Sequence, residues 1–401
     1  MSRIIVIGAG QAGASLTGKL RTLGHDGEIV LIGEEPAPPY QRPPLSKKYL
    51  LGEMPLERMY IKPEAAYADA GIELRTGTRI DAVDAAAKTI SLGDETLSFD
   101  QLAFTTGSDA RKLPAAIGGD LGNVYTVRTL ADVDAMATAF AKGGHVLIIG
   151  GGYIGLEAAA VAAQKGLKVT LIEAADRILK RVAAPETSDF FRALHTGHGV
   201  DIREGCGLTR LTGDGDVTGA ELSDGTSLEI DFAVVGVGID PCTALAESAG
   251  IACENGIKTN AYGETSVPGI WAAGDCASFP YRGERIRLES VPNAMDQADV
   301  VAANMLGAGR DYVAKPWFWS DQYDVKLQIA GLNTGYDKVV IRKTGTAQSN
   351  WYYRGDELLA VDAMGDARGY MIGKRLIEAG KSPTPAAIAD PETDLKALLK
   401  A

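Results

Sequence analysis

The stretch RIIVIGAGQAGASLTGKLRTLGHDGEIVLIGE, residues 3–34, decides the fold of this chain. It opens with a short β-branched run over residues 4–7, which is typical of a strand buried on both faces. Gly8, Gly10 and Gly13 follow at once in GxGxxG spacing, and a helical pattern and a second apolar strand lead to Glu34. This order of strand, glycine turn, helix, strand and acid predicts a βαβ unit that binds a dinucleotide.

Each part of this unit has a physical task. Gly8 allows the turn out of the strand, Gly10 lets backbone approach a pyrophosphate, and Gly13 lets helix and strand pack closely. The helix would aim its free N–H groups and positive dipole end at the phosphates. Glu34 would accept hydrogen bonds from an adenosine ribose. The alternative is a βαβ unit with a glycine-rich turn and no ligand, which the flanking strands and the acid disfavour.

The same unit recurs in HVLIIGGGYIG, residues 145–155. Gly150, Gly152 and Gly155 repeat the spacing, and an alanine-rich helix leads to a strand that ends at Glu173. Two such units predict two nucleotide cofactors, or one cofactor bound twice. Glu173 favours NADH over NADPH, because a carboxylate accepts the free ribose hydroxyls and repels an added phosphate.

Size and charge limit the class of protein. A chain of 401 residues is too long for one core and predicts two or three domains. A net charge of −12 argues against a nucleic-acid partner. No apolar run reaches the ~18 residues of a membrane span, and the first strand begins without a leader pattern. We therefore expect a cytoplasmic protein that has no membrane partner.

Cysteine and histidine spacing gives no sign of a disulfide framework or a metal site. The four cysteines are scattered: Cys206, Cys242, Cys253 and Cys276. None forms a CxxC pair, which argues against disulfides and zinc. His195 and His198 could be a metal pair, but a polar helix end before Gly199 is favoured because no cysteine or carboxylate cluster accompanies them. No metal is expected.

The remaining segments add a loop, further strands and a third domain. Residues 36–49 predict an extended loop that starts a short helix, and residues 71–83 alternate like an edge strand and its neighbour. Residues 265–275 predict a short strand ending in an aspartate that can hold a flavin ribityl hydroxyl. The helix over residues 290–299 could face the flavin pyrimidine edge. From residue 317 onward, short strands and a helix predict a small antiparallel α+β domain.

On its motifs, the chain resembles the FAD-dependent, NADH-oxidising ferredoxin reductases of bacterial oxygenase systems, the family of putidaredoxin reductase and of the biphenyl dioxygenase ferredoxin reductases. The resemblance covers essentially the whole chain and rests on these motifs: GxGxxG from Gly8, RPPLSK at 42–47, GGGYIGLE at 150–157, Glu173, WAAGDCA at 271–277, ESVPNA at 289–294 and WFWSDQY at 317–323. It implies an α/β fold of the glutathione reductase type, with two Rossmann-like dinucleotide-binding domains and a small C-terminal α+β domain. The corresponding domains are an FAD-binding domain at 1–110 and 239–314, an NAD-binding domain at 111–238 and a C-terminal domain at 315–401.

The resemblance also implies roles for individual residues. The implied FAD set is Gly8, Gly10, Ala12, Gly13, Glu34, Arg42, Lys47, Ile80, Arg128, Asp275 and Val291. The implied NAD set is Gly150, Gly152, Tyr153, Ile154, Gly155, Glu173 and Gly238. Lys47 would lie close to the flavin ring and pair with Glu157, and Trp319 would cover the nicotinamide pocket. These three are the candidate catalytic residues.

The expected route of electrons follows from the absence of thiols at residues 42–48, which excludes thiol–disulfide exchange there. Electrons are expected to leave singly to a [2Fe-2S] ferredoxin that supplies a monooxygenase or dioxygenase. Such ferredoxins are acidic, and Arg282, Arg285 and Arg287 form a possible docking patch, with a solvated hairpin as the alternative. The alternative functions are a rubredoxin reductase, an NADH oxidase of the same fold, and a flavoprotein whose redox state controls a binding partner.

Overall fold

The computed structural model describes residues 2–400, which form two compact units. Unit 1 contains the chain up to Arg42, Pro55–Asp109 and Ile239–Pro316, and unit 2 contains Pro43–Met54, Ala110–Gly238 and the chain from Trp317 onward. Residues 43–54 therefore group with unit 2, whereas the sequence-based division places them in an FAD-binding domain. That division by function stays a prediction.

The helices and strands have the following bounds. The helices are α1 (Gln11–Thr22), α2 (Lys48–Leu51), α3 (Ala65–Asp69), α4 (Leu130–Lys142), α5 (Tyr153–Gln164), α6 (Pro185–Gly197), α7 (Ala244–Ser248), α8 (Val291–Met305), α9 (Ala367–Glu378) and α10 (Pro385–Ala389). Short 3₁₀ turns cover Pro43–Ser46, Leu56–Arg58, Ala115–Ile117 and Ala397–Leu399. The strands are β1 (Arg3–Ile7), β2 (Glu28–Ile32), β3 (Ile72–Arg75), β4 (Ala82–Asp84), β5 (Thr89–Leu92), β6 (Glu95–Ser98), β7 (Gln101–Phe104), β8 (Ser108–Ala110), β9 (Val124–Thr126), β10 (His145–Ile149), β11 (Lys168–Glu173), β12 (Asp201–Glu204), β13 (Leu208–Asp214), β14 (Asp216–Leu222), β15 (Ser227–Glu229), β16 (Phe232–Val235), β17 (Ile239–Pro241), β18 (Ile257–Lys258), β19 (Ile270–Ala272), β20 (Ala277–Tyr281), β21 (Glu284–Ile286), β22 (Trp317–Gln322), β23 (Val325–Gly331), β24 (Lys338–Thr344), β25 (Ala347–Arg354) and β26 (Glu357–Met364).

Unit 1 is built on a parallel sheet in the order β19–β7–β1–β2–β3. The central strand β1 pairs on both sides, with Ile4 in register with Ile29 and Gln101. Both faces of β1 are buried, as the β-branched run predicts, because α1 and α8 cover one face and β4–β6 cover the other. The sheet therefore directs the loop after β1 toward the start of α1.

The alternating stretch at residues 71–83 is divided between two sheets, so the predicted edge strand is confirmed but the prediction that its neighbour follows in the same stretch is wrong. β3 is the parallel edge strand beside β2, whereas β4 pairs antiparallel with β5 in a separate three-stranded sheet. The pair Val83 and Ile90 lies in the core cluster of unit 1, so burial against that core, rather than pairing with β3, selects its position.

Unit 2 contains a second parallel sheet, in the order β12–β11–β10–β16–β9. β10 is again central, with Val146 in register with Val169 and Phe232. The alanine-rich helix α5 has small buried residues through most of its length, which lets it lie close to neighbouring elements. The antiparallel strands β13–β15 complete this part of the unit.

The C-terminal part of unit 2 is an antiparallel sheet, β22–β23–β26–β25–β24, covered by α9. Trp351, Tyr353 and Leu376 are fully buried in its core. The α+β character expected from residue 317 onward is present. Within residues 2–400, the helices are too short or too polar to span a bilayer.

Arg342 on β24 anchors the C-terminal segment. Its side chain is buried, and its two terminal nitrogens donate to backbone carbonyl oxygens of Ile388 (3.1 Å), Asp390 (2.5 Å), Pro391 (2.8 Å) and Thr393 (3.0 Å). A guanidinium has five N–H donors in a fixed plane, so it can hold several carbonyls at once. The segment after α10 is thereby attached to the sheet.

A second buried polar cluster joins α6 to the C-terminal sheet. The carboxylate of Asp362 accepts hydrogen bonds from the hydroxyls of Thr187 (2.8 Å) and Tyr352, and the Tyr352 oxygen accepts from the Ala184 N–H (3.0 Å). Burial raises the pKa of Asp362 to about 6, although both hydroxyl donors favour the ionised form. Asp362 is thus a buried acid held by hydroxyl donors.

Candidate functional site

The glycine turn of unit 1 has the geometry that a dinucleotide cradle requires. Gly8 has φ +111°, and a Cβ there would lie 2.3 Å from the Thr105 carbonyl oxygen. A Cβ on Gly13 would lie 2.1 Å from the Gly8 oxygen, so this glycine is needed for packing. A Cβ on Gly10 would meet no described atom within 4 Å, which leaves room for a ligand at the start of α1.

Two helix N-termini meet beside this turn in unit 1. A Cβ on Gly274 would lie 3.0 Å from the Cβ of Ala12 in α1 and 3.7 Å from that of Ala294 in α8. The Gly274 N–H donates to the Gln297 side-chain oxygen at 2.9 Å. The Gln297 amide nitrogen is buried and has no hydrogen-bond partner among residues 2–400. An orphaned donor beside two positive helix ends fits a ligand with phosphate and carbonyl oxygens.

Arg42 is held in unit 1 by neighbours that sequence reasoning missed. Glu35 accepts from the Arg42 guanidinium at 2.5 Å and from the Tyr40 hydroxyl at 2.5 Å. Burial lowers the pKa of Arg42, but Tyr40, Glu35 and Asp275 outweigh it, so the net shift is upward. Glu34, the predicted ribose acceptor, directly precedes Glu35 in the sequence, and its side chain is 71% exposed. The motif PYQR could have indicated the stacked Tyr40–Arg42 pair, whose ring centroid lies 5.0 Å from the guanidinium carbon.

The other predicted FAD residues lie in both units. Ile80 is 5% exposed and its side chain lies in the core, so only its backbone could contact an adenine. Asp275 follows the Gly274 turn in unit 1, and Val291 is the first residue of α8. Arg128 belongs to unit 2, just before α4. Their roles at a flavin stay predictions.

Unit 2 repeats the glycine geometry of unit 1. Gly150 has φ +108°, and a Cβ there would lie 2.4 Å from the Gly236 oxygen. A Cβ on Gly155 would lie 2.0 Å from the Gly150 oxygen, and one on Gly152 would meet no described atom within 4 Å. The correspondence with Gly8, Gly13 and Gly10 is position by position. Unit 2 therefore has its own dinucleotide cradle.

Glu173 lies over this second cradle. One carboxylate oxygen accepts from the Gly151 N–H at 2.7 Å and the other from the Ala175 N–H at 2.8 Å. The nearest basic side chain in the sequence, Arg177, donates instead to the Ser188 hydroxyl at 2.7 Å. The carboxylate thus faces the glycine loop, an arrangement that disfavours an additional phosphate there.

The remaining predicted NAD residues flank the start of α5. The Tyr153 ring packs on Phe318 at 4.9 Å, and its buried hydroxyl lacks a partner within residues 2–400. Burial raises the pKa of this hydroxyl well above its usual range. Ile154 is 40% exposed, and Gly238 has φ +119°. These residues surround the cradle, but their contacts with NAD stay predictions.

Lys47 and Glu157 form an ion pair inside unit 2. Their nitrogen and oxygen are 2.8 Å apart, and the side chains are 15% and 2% exposed. Two hydroxyls that sequence reasoning missed complete the carboxylate shell, because Ser46 donates to it at 2.5 Å and Ser320 at 2.6 Å. Trp319, the residue before Ser320 in β22, lies on the opposite face of the strand and stacks on Trp317. The structure joins Lys47 with Glu157 and leaves the role of Trp319 a prediction.

Comparison with known proteins decides the family. A model of the pyridine nucleotide-disulphide oxidoreductases matches residues 2–298, and a reductase C-terminal model matches residues 317–399. The chain belongs to the pyridine nucleotide-disulphide oxidoreductase family. As a member of this family it has the fold that the glycine motifs predict, so the α/β assignment is confirmed.

Relatives of this oxidoreductase match it over nearly its whole length. A ferredoxin–NAD(P)⁺ reductase from a Sphingomonas species is 43% identical, covering 98% of this chain and 96% of the relative. Putidaredoxin reductase from Pseudomonas putida is 38% identical, covering 99% and 97%. The structure of the covalent putidaredoxin reductase–putidaredoxin complex superimposes with a TM-score of 0.95 at 37% identity, covering 100% and 98%. The ferredoxin reductase for the CYP199A2 system from Rhodopseudomonas palustris gives 0.95 at 38%, covering 99% of each chain.

The predicted docking patch of this oxidoreductase is less uniform than its sequence indicates. Arg282 is exposed and lies over the Tyr281 ring at 5.4 Å. Arg285 donates to two backbone carbonyls of its own unit, at 3.0 and 2.5 Å. Arg287 is 9% exposed and pairs with Glu289 at 2.6 Å. Arg282 is therefore the exposed member of the three arginines.

Proposed function

We propose that this chain is a flavoprotein that transfers electrons from NADH through FAD to a [2Fe-2S] ferredoxin, which supplies a monooxygenase or dioxygenase. The observation that carries the proposal is the full-length match, at 43% identity, to a ferredoxin–NAD(P)⁺ reductase. Two dinucleotide cradles in one chain agree with a donor nucleotide and a flavin nucleotide.

FAD would be held by unit 1. Gly8, Gly10 and Gly13 would receive its pyrophosphate at the start of α1, and Asp275 its ribityl chain. The orphaned Gln297 amide and the N-terminus of α8 would face its polar edge. When bound, FAD supplies the ability to accept a hydride and to return electrons one at a time.

NADH would be held by unit 2, on the cradle of Gly150, Gly152 and Gly155. Glu173 would accept hydrogen bonds from the adenosine ribose, and its negative charge would repel the additional phosphate of NADPH. Trp319 would cover the nicotinamide. The proposed division is FAD binding at 1–110 and 239–314, NAD binding at 111–238 and a C-terminal domain at 315–401.

Lys47 and Glu157 would serve as a charge pair beside the flavin ring. A lone buried ammonium or carboxylate is costly, so the 2.8 Å pairing allows both charges to exist at 15% and 2% exposure. Lys47 would stabilise the negative charge that two added electrons bring. The residue would thus favour hydride arrival without taking part in covalent chemistry.

Electrons would leave to a protein partner and not to a thiol. Residues 42–48 contain no cysteine, and none of the cysteines at 206, 242, 253 and 276 is in a disulfide bond. Arg282 is the proposed contact for an acidic ferredoxin, since it is the exposed member of the arginine cluster. A cytoplasmic location is part of the proposal because the reaction requires NADH.

The decisive experiment begins with the absorbance spectrum of the purified protein, followed by anaerobic titration with NADH and with NADPH. We expect a flavin spectrum that bleaches with NADH, and single-turnover bleaching that slows in Lys47→Ala. Lys48→Ala is the matched control, because this neighbouring lysine is exposed. A colourless protein that takes up no FAD, or bleaching that depends on cysteine modification, would refute the proposal.

Ferredoxin transfer requires its own measurement. Reduction of a [2Fe-2S] ferredoxin should exceed oxygen consumption by a large factor, and Arg282→Glu should raise the Michaelis constant for ferredoxin while leaving that for ferricyanide unchanged. Oxygen consumption as fast as ferredoxin reduction would instead identify an NADH oxidase.

A further inference from the structure

A line of buried polar side chains continues from Glu157 into the C-terminal sheet, all within unit 2. Along β22, successive residues face opposite sides, so Ser320 and Gln322 share one face, where Ser320 contacts Glu157 of α5 and Gln322 contacts His195 of α6. The Ser320 hydroxyl donates to Glu157 at 2.6 Å, and the Gln322 amide nitrogen donates to the Ser320 oxygen at 3.2 Å. Both serine and glutamine are fully buried.

The line then passes to α6. The Gln322 amide oxygen lies 2.8 Å from His195 Nε2, and the Tyr323 hydroxyl lies 3.2 Å from His195 Nδ1. His195 is 0% exposed, so it is not the polar helix end that the sequence indicates. His198 stacks on the Tyr323 ring, with ring centroids 3.7 Å apart. Burial lowers the pKa of His195 to about 4, and the ring is therefore neutral at pH 7.

Only one set of hydrogen positions satisfies every contact. The Glu157 carboxylate, paired with Lys47, can only accept, so Ser320 donates to it and must accept from the Gln322 nitrogen. The Gln322 oxygen then faces His195, which must carry its proton on Nε2. A neutral ring with that proton accepts at Nδ1, so Tyr323 donates. Every donor in the line points toward Glu157.

We propose that Ser320, Gln322 and His195 are positioning residues for electron transfer, forming a one-way line of hydrogen-bond donors that orients and charge-compensates the Lys47–Glu157 pair. The inference rests on the proposed function, in which that pair acts beside the flavin. Aligned donors polarise one another, so the effect on the terminal carboxylate exceeds that of Ser320 alone.

The arrangement around Glu157 explains why the line is needed. Lys47 and Ser46 both contact one carboxylate oxygen, at 2.8 and 2.5 Å. Ser320 is the donor that holds the other oxygen, at 2.6 Å. A buried carboxylate oxygen without a donor is costly, so loss of Ser320 would let the carboxylate rotate and displace the Lys47 ammonium.

A purely structural role predicts a different outcome. If the line only fastens β22 to α5 and α6, then cutting it lowers stability and leaves the reaction of the folded holoenzyme unchanged. If the line positions the Lys47–Glu157 pair, then interrupting it changes the potential and the reduction rate of the flavin in the folded protein.

The test compares Ser320→Ala, Gln322→Leu and Tyr323→Phe with the unchanged holoenzyme. The readouts are the flavin midpoint potential, the single-turnover rate of bleaching by NADH, and the urea unfolding midpoint. We expect Ser320→Ala to slow bleaching by about tenfold or more, the effect of one hydrogen bond to a charged group. The potential should become more negative, because Glu157 keeps its charge with less compensation. Gln322→Leu should have a smaller effect, and Tyr323→Phe the smallest.

Two further variants separate position from packing. Ser320→Thr keeps the hydroxyl, and His195→Gln keeps an amide N–H that can reach Gln322, so both should retain the rate and the potential. His145→Gln is the matched control, because His145 is also buried in unit 2 and is hydrogen-bonded to Glu229 and Thr170.

The outcomes distinguish the inference from the function on which it rests. If Lys47→Ala and Glu157→Gln slow bleaching but Ser320→Ala and Gln322→Leu change only the unfolding midpoint, the positioning role is refuted and the proposed function stands. If Lys47→Ala and Glu157→Gln themselves leave bleaching unchanged, the role of the pair fails first.

Discussion

Acidification should act on unit 2 through two buried groups with opposite signs. Burial, with a smaller contribution from His198, lowers the pKa of His195 from 6.5 to about 4, although Gln322 partly opposes it. Burial raises the pKa of Asp362 from 3.8 to about 6, although its hydroxyl donors oppose the shift. The informative perturbation is Asp362→Asn, which removes one of the two groups and leaves the other.

The signs follow from which state binds more protons. Between pH 6.5 and 4 the unfolded chain protonates His195 and the folded chain does not, so stability is lost as pH falls. Between pH 6 and 3.8 the folded chain protonates Asp362 and the unfolded chain does not, so stability is gained as pH falls. From pH 7 to pH 5, protonation of His195 should lower the free energy of unfolding by about 2 kcal/mol, and protonation of Asp362 should raise it by about 1 kcal/mol.

The assay is urea unfolding at pH 7 and pH 5, followed by tryptophan fluorescence. Three tryptophans, at 317, 319 and 351, belong to unit 2, so the signal reports mainly this unit. Between pH 7 and pH 5, the free energy of unfolding of Asp362→Asn should fall by about 1 kcal/mol more than that of the unchanged chain. The free energy of unfolding of His195→Gln should fall by about 2 kcal/mol less than that of the unchanged chain.

Asp356→Asn is the control, because Asp356 is an exposed turn residue of the same sheet. It should lose as much stability as the unchanged chain. If Asp362→Asn shows the same pH dependence as this control, then Asp362 does not titrate as a buried acid, and the linkage argument is wrong.

Three further changes test other contacts. Glu157→Leu, which leaves Lys47 buried without its partner, should lower the free energy of unfolding by about 3–5 kcal/mol, and adding Lys47→Met should recover part of that loss, measured by urea unfolding. Arg342→Met removes hydrogen bonds to four carbonyls and should speed limited proteolysis after residue 388 by about tenfold or more. Glu173→Ser should lower the dissociation constant for NADPH relative to that for NADH by about tenfold or more, measured by titration.

Each of these changes has an outcome that would contradict it. A double variant less stable than Glu157→Leu would mean that Lys47 is stabilised by something other than Glu157. Proteolysis in Arg342→Met at the rate of an exposed control, Arg354→Met, would mean that the C-terminal segment is held elsewhere. An unchanged nucleotide ratio in Glu173→Ser would mean that Glu173 does not contact the ribose end.

Local signals made part of the fold predictable. The runs around Gly8 and Gly150 specify strand, turn and helix within about 30 residues, and Gly13 and Gly155 are each required by a close contact with the first glycine of the same turn. The pair Gly93-Asp94 is a turn signal of the same local kind, and β5 and β6 form a hairpin there with Gly93 at φ +57°. The Lys47–Glu157 pair was predicted only from the family resemblance, because no sequence spacing relates residues so far apart in the chain.

Contacts set by distant strands were not predictable. His195 carries the pattern of an exposed helix end, yet it is buried because Gln322 and Tyr323 of another segment pack on it. In the motif WFWSDQY at residues 317–323, large aromatic side chains occupy both faces of β22, so the sequence does not show the apolar–polar alternation of a half-buried strand. Buried polar partners of this kind have no periodicity of their own.

The parallel sheet of unit 1 has a consequence for synthesis of the chain. Its edge strand β19 pairs with β7, so that Leu102 lies in register with Ile270. Once the chain has been synthesised as far as Phe104, the segments of β1, β2, β3 and β7 are available, but β7 still lacks its neighbour β19, which is encoded far downstream. The unpaired edge of β7 is therefore open to incorrect pairing with other strands until the residues between β7 and β19 have been synthesised. Slowing translation between the two segments should therefore lower the yield of native protein more than slowing it after residue 316.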